Sequence, residues 1–122
     1  MTSTRRLVVK CTCGDEAPER CAQAFTVAST ALAAGAEVSM WLTGPGVWMA
    51  VPGRAEAFTL DQSAPLPDLR DAVLGAGTLT VCTQCAARRE LSQDDLLPGV
   101  RIAGSTSFVD EILADGAQAI VY

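Results

Sequence analysis

The chain has no histidine among its 122 residues. That absence removes Ser-His-Asp and Cys-His hydrolase arrangements, imidazole-ligated metals and imidazole proton shuttles together. Proton handling falls to carboxylates, thiols, amines, Tyr122 or water. Positive charge is scarce too: the net charge is −5, the pI is near 4.5, and no basic cluster exceeds Arg88-Arg89. The sequence is therefore expected to bind neither nucleic acid nor an anionic membrane surface. No apolar run is long enough to span a bilayer, because the most apolar window, Ala31 to Val51, is broken by Glu37, Gly44, Pro45 and Gly46. The opening Ser3-Thr4-Arg5-Arg6-Leu7 lacks the apolar region of a twin-arginine signal, since Lys10, Asp15, Glu16, Glu19 and Arg20 follow it. A cytoplasmic protein is expected. Neither a P-loop nor G-x-G-x-x-G is present, so Gly44-Pro45-Gly46 reads as a turn rather than a phosphate cradle.

The length fits one domain, residues 1–122, and an apolar fraction of 49% suits a globular core. Five β-like segments alternate with helix-like ones. Arg6–Cys11 is the first strand. Pro18 then opens a helix whose apolar face is Cys21, Phe25, Ala28 and Leu32, and Gly35 stops it. Asp15, Glu16 and Glu19 suit the positive end of that helix better than a catalytic role. Glu37–Leu42 is the second strand. A less regular stretch follows, with a helix around Leu66–Leu74. Trp41, Trp48 and Met49 are expected in the core or between subunits. Thr78–Val81 is the third strand and leads into a short helix through Glu90. Ser92 with Asp95 forms a capping box before Pro98-Gly99. Val100–Ala103 is the fourth strand, Ser107 with Asp110 caps a further helix, and Ala119–Tyr122 is the fifth strand. Strands joined by helical crossovers predict a mainly parallel sheet with helices on both faces, and sites at the carboxyl ends of its strands.

Cysteine carries the chemistry. Cys82-x-x-Cys85 stands where the third strand gives way to a helix, and Cys11-x-Cys13 follows the first strand. Three readings follow. In the first, Cys82 at the helix start is a reactive thiolate, since a helix end contributes roughly 0.3–1 kcal/mol to a nearby anion. Such a Cys82 could hold a persulfide, with Cys85 one turn on to resolve it as a disulfide. In the second, Cys11, Cys13, Cys82 and Cys85 are four thiolate ligands of zinc or an iron–sulfur cluster. In the third, free cysteine is a small buried apolar residue, the reading that best suits Cys21.

The segments Ala24-Phe25-x-x-Ala28, Ala33-x-Gly35-x-Glu37-Val38, Gly46-Val47, Val81-Cys82 with Arg88-Arg89, and Pro98-Gly99-Val100 point to a family. Through them the chain resembles the DsrE/DsrF/TusD-type sulfur-relay proteins over nearly its whole length. The resemblance implies a three-layer α/β/α domain and no cofactor. It implies a persulfide carried on Cys82, sulfur donor and acceptor proteins as partners, and a homo- or hetero-oligomer, often a trimer or hexamer. Cys85 matches a position that is often small in the better-known members, and Cys11 and Cys13 have no counterpart there. These departures leave open a redox or metal-binding variant of the fold.

Overall fold

The computed structural model describes residues 5–122; residues 1–4, which include the start of the arginine-bearing N-terminal stretch, lie outside it. Five strands form one sheet: β1 (Arg6–Cys11), β2 (Glu37–Leu42), β3 (Thr78–Cys82), β4 (Arg101–Ala103) and β5 (Ala117–Val121). Four α-helices connect them: α1 (Pro18–Ala33), α2 (Leu66–Ala76), α3 (Thr83–Arg88) and α4 (Ser105–Ile112). Two 3-10 segments, Gly44–Ala50 and Gln93–Asp95, complete the described elements. All strand pairs are parallel, in the order β4-β3-β2-β1-β5.

That order explains the layers. From β1 to β4 each step moves the same way, and right-handed crossovers keep α1 and α2 on one face. The last connection returns past three strands to β5, which carries α4 to the other face. The α/β/α arrangement holds, with a sheet that is parallel throughout.

Alternation along the strands divides the side chains. Leu7, Val9 and Cys11 align with Val38, Met40 and Leu42, and the latter two with Leu79 and Val81. This face meets the Cys21, Ala24, Phe25 and Ala28 stripe of α1, every member of which is fully buried. Removing a side chain such as Phe25 from water contributes about 1.5–3 kcal/mol. The opposite parity places Lys10, Trp41 and Thr80 in a row on the second face. There α4 brings Phe108 edge-on to Trp41, with ring centroids 5.3 Å apart. The Glu111 carboxylate accepts hydrogen bonds from Ser39, from Trp41 Nε1 at 3.0 Å and from Arg101 Nη2 at 2.6 Å. The indole N–H is thereby satisfied while its ring is buried.

Several boundaries differ from the sequence reading: β4 begins at Arg101 rather than Val100, and α3 ends at Arg88 rather than Glu90. β3 continues through Cys82, which is both its last residue and the N-cap of α3. Residue Gly104, not Ser107, precedes α4: its extended backbone frees its carbonyl to accept the Phe108 N–H at 3.2 Å. β5 begins at Ala117 because that residue pairs with Arg6 of β1, although Tyr122 still donates its N–H to Lys10.

Candidate functional site

Cys82 stands at the carboxyl end of a strand in the middle of the sheet, and it is partly exposed. Burial alone would raise its thiol above the usual range. The backbone N–H groups of Cys85 and Gln84, the Cys85 thiol and the Lys10 ammonium outweigh that effect, so the net shift is downward. The strand-to-helix junction is the cause: an extended N-cap leaves the first amides of the helix free to face its own sulfur.

Cys85 lies in the first turn of α3 and is buried. Its sulfur accepts the Gly44 N–H at 3.2 Å, and Arg88 Nη1 stands 4.0 Å away. Arg89 Nη1 donates to the Cys85 carbonyl at 3.1 Å. The arginine pair that follows the motif thus attends Cys85. The cation that acts on Cys82 is Lys10, the chain's one lysine, whose ammonium lies 4.9 Å from the centre of the Phe108 ring. The sequence reading missed it. Its signal was parity: Lys10 alternates with Cys11, so it faces away from the α1 core.

Cys11 and Cys13 belong elsewhere. Cys11 points to the α1 side and its thiol donates to the Cys13 carbonyl at 3.2 Å. Cys21, on α1, is buried in the same core cluster. The four-thiolate set Cys11, Cys13, Cys82 and Cys85 is therefore not assembled, because β2 separates β1 from β3 and the two motifs engage different neighbours. Among the described residues no group of three or more Cys, Asp or Glu side chains is placed to hold a metal ion.

The remaining sequence candidates fall into supporting roles. Gly44-Pro45-Gly46 opens a 3-10 segment packed on backbone: a Cβ at Gly46 would meet the Cys11 and Cys13 carbonyl oxygens at 2.9 and 3.0 Å. Trp41 and Met49 are core residues, and Trp48 stacks under Arg54 at 4.3 Å. Glu16 accepts the Gly14 N–H at 2.6 Å, closing the turn before α1. A cleft of about 450 Å³, lined by Arg6, Glu37, Ser39, Thr78, Arg101 and Glu111 among others, lies at the amino ends of the strands, the edge opposite Cys82.

The arrangement at Cys82 is a partly exposed thiol with a lowered pKa, with the Cys85 thiol and the Lys10 ammonium among the groups that lower it. It can attack and release sulfur. In fold the chain is similar to the ychN protein from E. coli, with a TM-score of 0.79 at 12% identity over 98% of this chain and 100% of that one. It is also similar to MTH1491, a protein of unknown function from Methanobacterium thermoautotrophicum, with a TM-score of 0.67 at 16% identity over 97% and 99% of the two chains. No curated protein is a significant match. The DsrE/DsrF-like family matches residues 6–122. With the strand–cysteine–helix junction inside that match, the chain belongs to the DsrE/DsrF-like family, and so to the sulfur-relay proteins at the family level.

Proposed function

We propose that the protein carries sulfane sulfur as a persulfide on Cys82 and passes it on by thiol exchange. The observation that carries this reading is the partly exposed Cys82 at the strand-to-helix junction, where it ends β3 and caps α3; the downward shift of its thiol agrees with it. The Cys82 thiolate attacks the outer sulfur of a donor persulfide, forming Cys82–S–SH and expelling the donor thiolate. An acceptor thiolate then attacks that outer sulfur and regenerates the Cys82 thiolate. In a second outcome Cys85 attacks the inner sulfur instead. This gives a Cys82–Cys85 disulfide and releases hydrosulfide, so two thiol sulfurs are oxidised as one sulfane sulfur is reduced.

The partners on this reading are a sulfur donor protein and a sulfur acceptor protein. Val109 on α4, Leu113 at its C-cap, and Ile120 and Val121 on the edge strand β5 remain exposed. They support a homo-oligomer, a trimer or hexamer, that covers this apolar edge. Five free thiols support a reducing, cytoplasmic setting.

Mass spectrometry after exposure to a persulfide donor tests the assignment. Wild type is expected to gain the mass of one sulfur on the peptide bearing Cys82. A Cys82→Ala variant that loads equally well overturns it. Cys85→Ser is expected to load and to retain the persulfide longer.

A further inference from the structure

The cleft at the amino ends of the strands takes no part in the sulfur site. Its volume, about 450 Å³, lies within the range of small-molecule pockets. Its floor is the second face of the sheet, where Arg6 aligns with Glu37, Val8 with Ser39, and Ser39 with Thr78. α4 leaves this stretch open. Its eight residues make a helix about 12 Å long and about 10 Å across, whereas five strands at ~4.8 Å spacing are about twice that width. The end of the helix reaches the cleft through Glu111, followed by Ala114.

Two ion pairs border the cleft, and by themselves they are ordinary surface features. What each leaves open is more specific. Arg6 Nε holds Glu37 Oε2 at 2.9 Å, and Glu37 Oε1 has no partner among the described residues. On the other side, Arg101 Nε donates to Thr80 Oγ1 at 2.9 Å and Nη2 to Glu111 Oε2 at 2.6 Å. The same guanidinium stands 5.2 Å from the centre of the Trp41 ring. Three contacts fix this planar fork, yet its Nη1 has no partner among the described residues. Glu111 is fully engaged, since its Oε1 accepts from Ser39 and Trp41. One open acceptor on an anion and one open donor on a cation therefore border one cleft.

We propose that this cleft binds a small zwitterion, an α-amino acid, with its carboxylate on Arg101 Nη1 and its ammonium on Glu37 Oε1. The spacing suits that class of ligand. Glu111 ties Arg101 to Ser39, and Glu37 precedes Ser39 by two residues on the same face, ~6.6 Å along the strand. An α-amino acid holds its charges about 3 Å apart, and a hydrogen bond of about 2.9 Å at each end gives a span of roughly 6–9 Å. A ligand with one charge engages one end alone. Thr78, beside Ser39, adds a hydroxyl, and Val8 and Ala114 give apolar surface to a side chain. The site goes beyond the sulfur chemistry at the opposite edge and does not depend on it.

Proton–nitrogen spectra of the full chain, titrated with L-valine, test the proposal. Saturable shifts are expected at Ser39, Thr78 and the Arg101 Nε–H, with a Kd on the order of 1 mM. Isovalerate, which lacks the ammonium, and isobutylamine, which lacks the carboxylate, are each expected to bind several-fold more weakly. Glu37→Gln is expected to weaken valine binding roughly two- to fivefold and to leave isovalerate no weaker. Arg101→Lys keeps a cation beside Glu111 but loses the planar fork, and is expected to weaken valine at least as much. Circular dichroism confirms that both variants are folded. No saturation by about 50 mM valine overturns the proposal, as do shifts confined to residues away from the cleft. So does isovalerate or isobutylamine binding as tightly as valine, or an unchanged valine affinity in either variant.

Discussion

The backbone N–H of Gly44 donates to the sulfur of Cys85 at 3.2 Å, joining the end of β2 to the first turn of α3. Gly44 reaches that position with φ at +53°, the left-handed region, and a Cβ there would lie 3.1 Å from the Thr12 carbonyl oxygen. Backbone conformation at residue 44 therefore sets the side-chain environment at residue 85.

Gly44→Ala is expected to destabilise the protein by roughly 1–2 kcal/mol, the cost of a left-handed non-glycine residue. Urea unfolding measures this. In a Cys82→Ser background the same change is expected to speed alkylation of Cys85. An unchanged rate means that the Gly44 amide does not hold that sulfur in place.

Lys10→Met is expected to raise the pH midpoint of Cys82 alkylation, because removing a nearby cation disfavours the thiolate. A partly exposed charge pair contributes ~0.2–1 kcal/mol, which corresponds to about 0.2–0.7 pH unit. Arg88→Gln is expected to leave the midpoint in place, since that guanidinium lies beside Cys85. A larger shift from Arg88→Gln than from Lys10→Met assigns the cation to the wrong residue.

Arg70 is 3% exposed and binds the Glu56 carboxylate through Nη1 and Nη2 at 3.1 and 2.8 Å, with Asp71 at 3.0 Å. The Arg70 guanidinium holds the Glu56 carboxyl down to about 2. A depressed carboxylate stabilises the fold above its unfolded value, near 4.3, and that contribution is lost as pH falls toward 2. Between those limits the unfolded chain binds more protons, so stability rises with pH. Urea midpoints measured across this window are expected to fall on acidification in wild type and to fall less in Glu56→Gln.

Phe25→Ala is expected to cost about 3–5 kcal/mol, because the ring is wholly buried between α1 and the sheet. Leu113, at 76% exposure, behaves differently: Leu113→Ala is expected to change the stability of the isolated subunit by less than about 0.5 kcal/mol. Leu113→Asp is expected to lower the mass measured by light scattering if α4 lies in a subunit interface. An unchanged mass removes α4 from that interface.

Local signals were legible where the chain answers to its near neighbours. The aliphatic, β-branched run at Arg6–Cys11 and the segment Glu37–Leu42 became β1 and β2 with those limits. The Ser92–Asp95 capping box is formed, with the Ser92 N–H donating to Asp95 at 2.8 Å. Of the Cys21, Phe25, Ala28 and Leu32 stripe the first three are buried as its helical spacing implied, and Leu32 is partly buried against the core. A similar Ser-x-x-Asp pattern at Ser107–Asp110 misled because α4 starts nearly a full turn earlier, at Ser105 behind an extended Gly104. Two competing starts of comparable local merit are separated by packing on the sheet, which a short window does not contain.

The sequence by itself determined that Cys82 sits at a strand-to-helix junction, because the apolar run, the C-x-x-C and the helix all lie within a few residues of one another. It also determined, through the missing histidines, that any chemistry there is sulfur chemistry without imidazole help. Only the tertiary structure decided which groups surround that sulfur. Strand order places β2 between β1 and β3, so Lys10 reaches the face of Cys82 while Cys11 turns to the opposite side and is buried in the core with Cys21. Pairing across a parallel sheet joins residues far apart in the chain, and the connecting helices, not the strands' own sequences, determine which strand lies beside which.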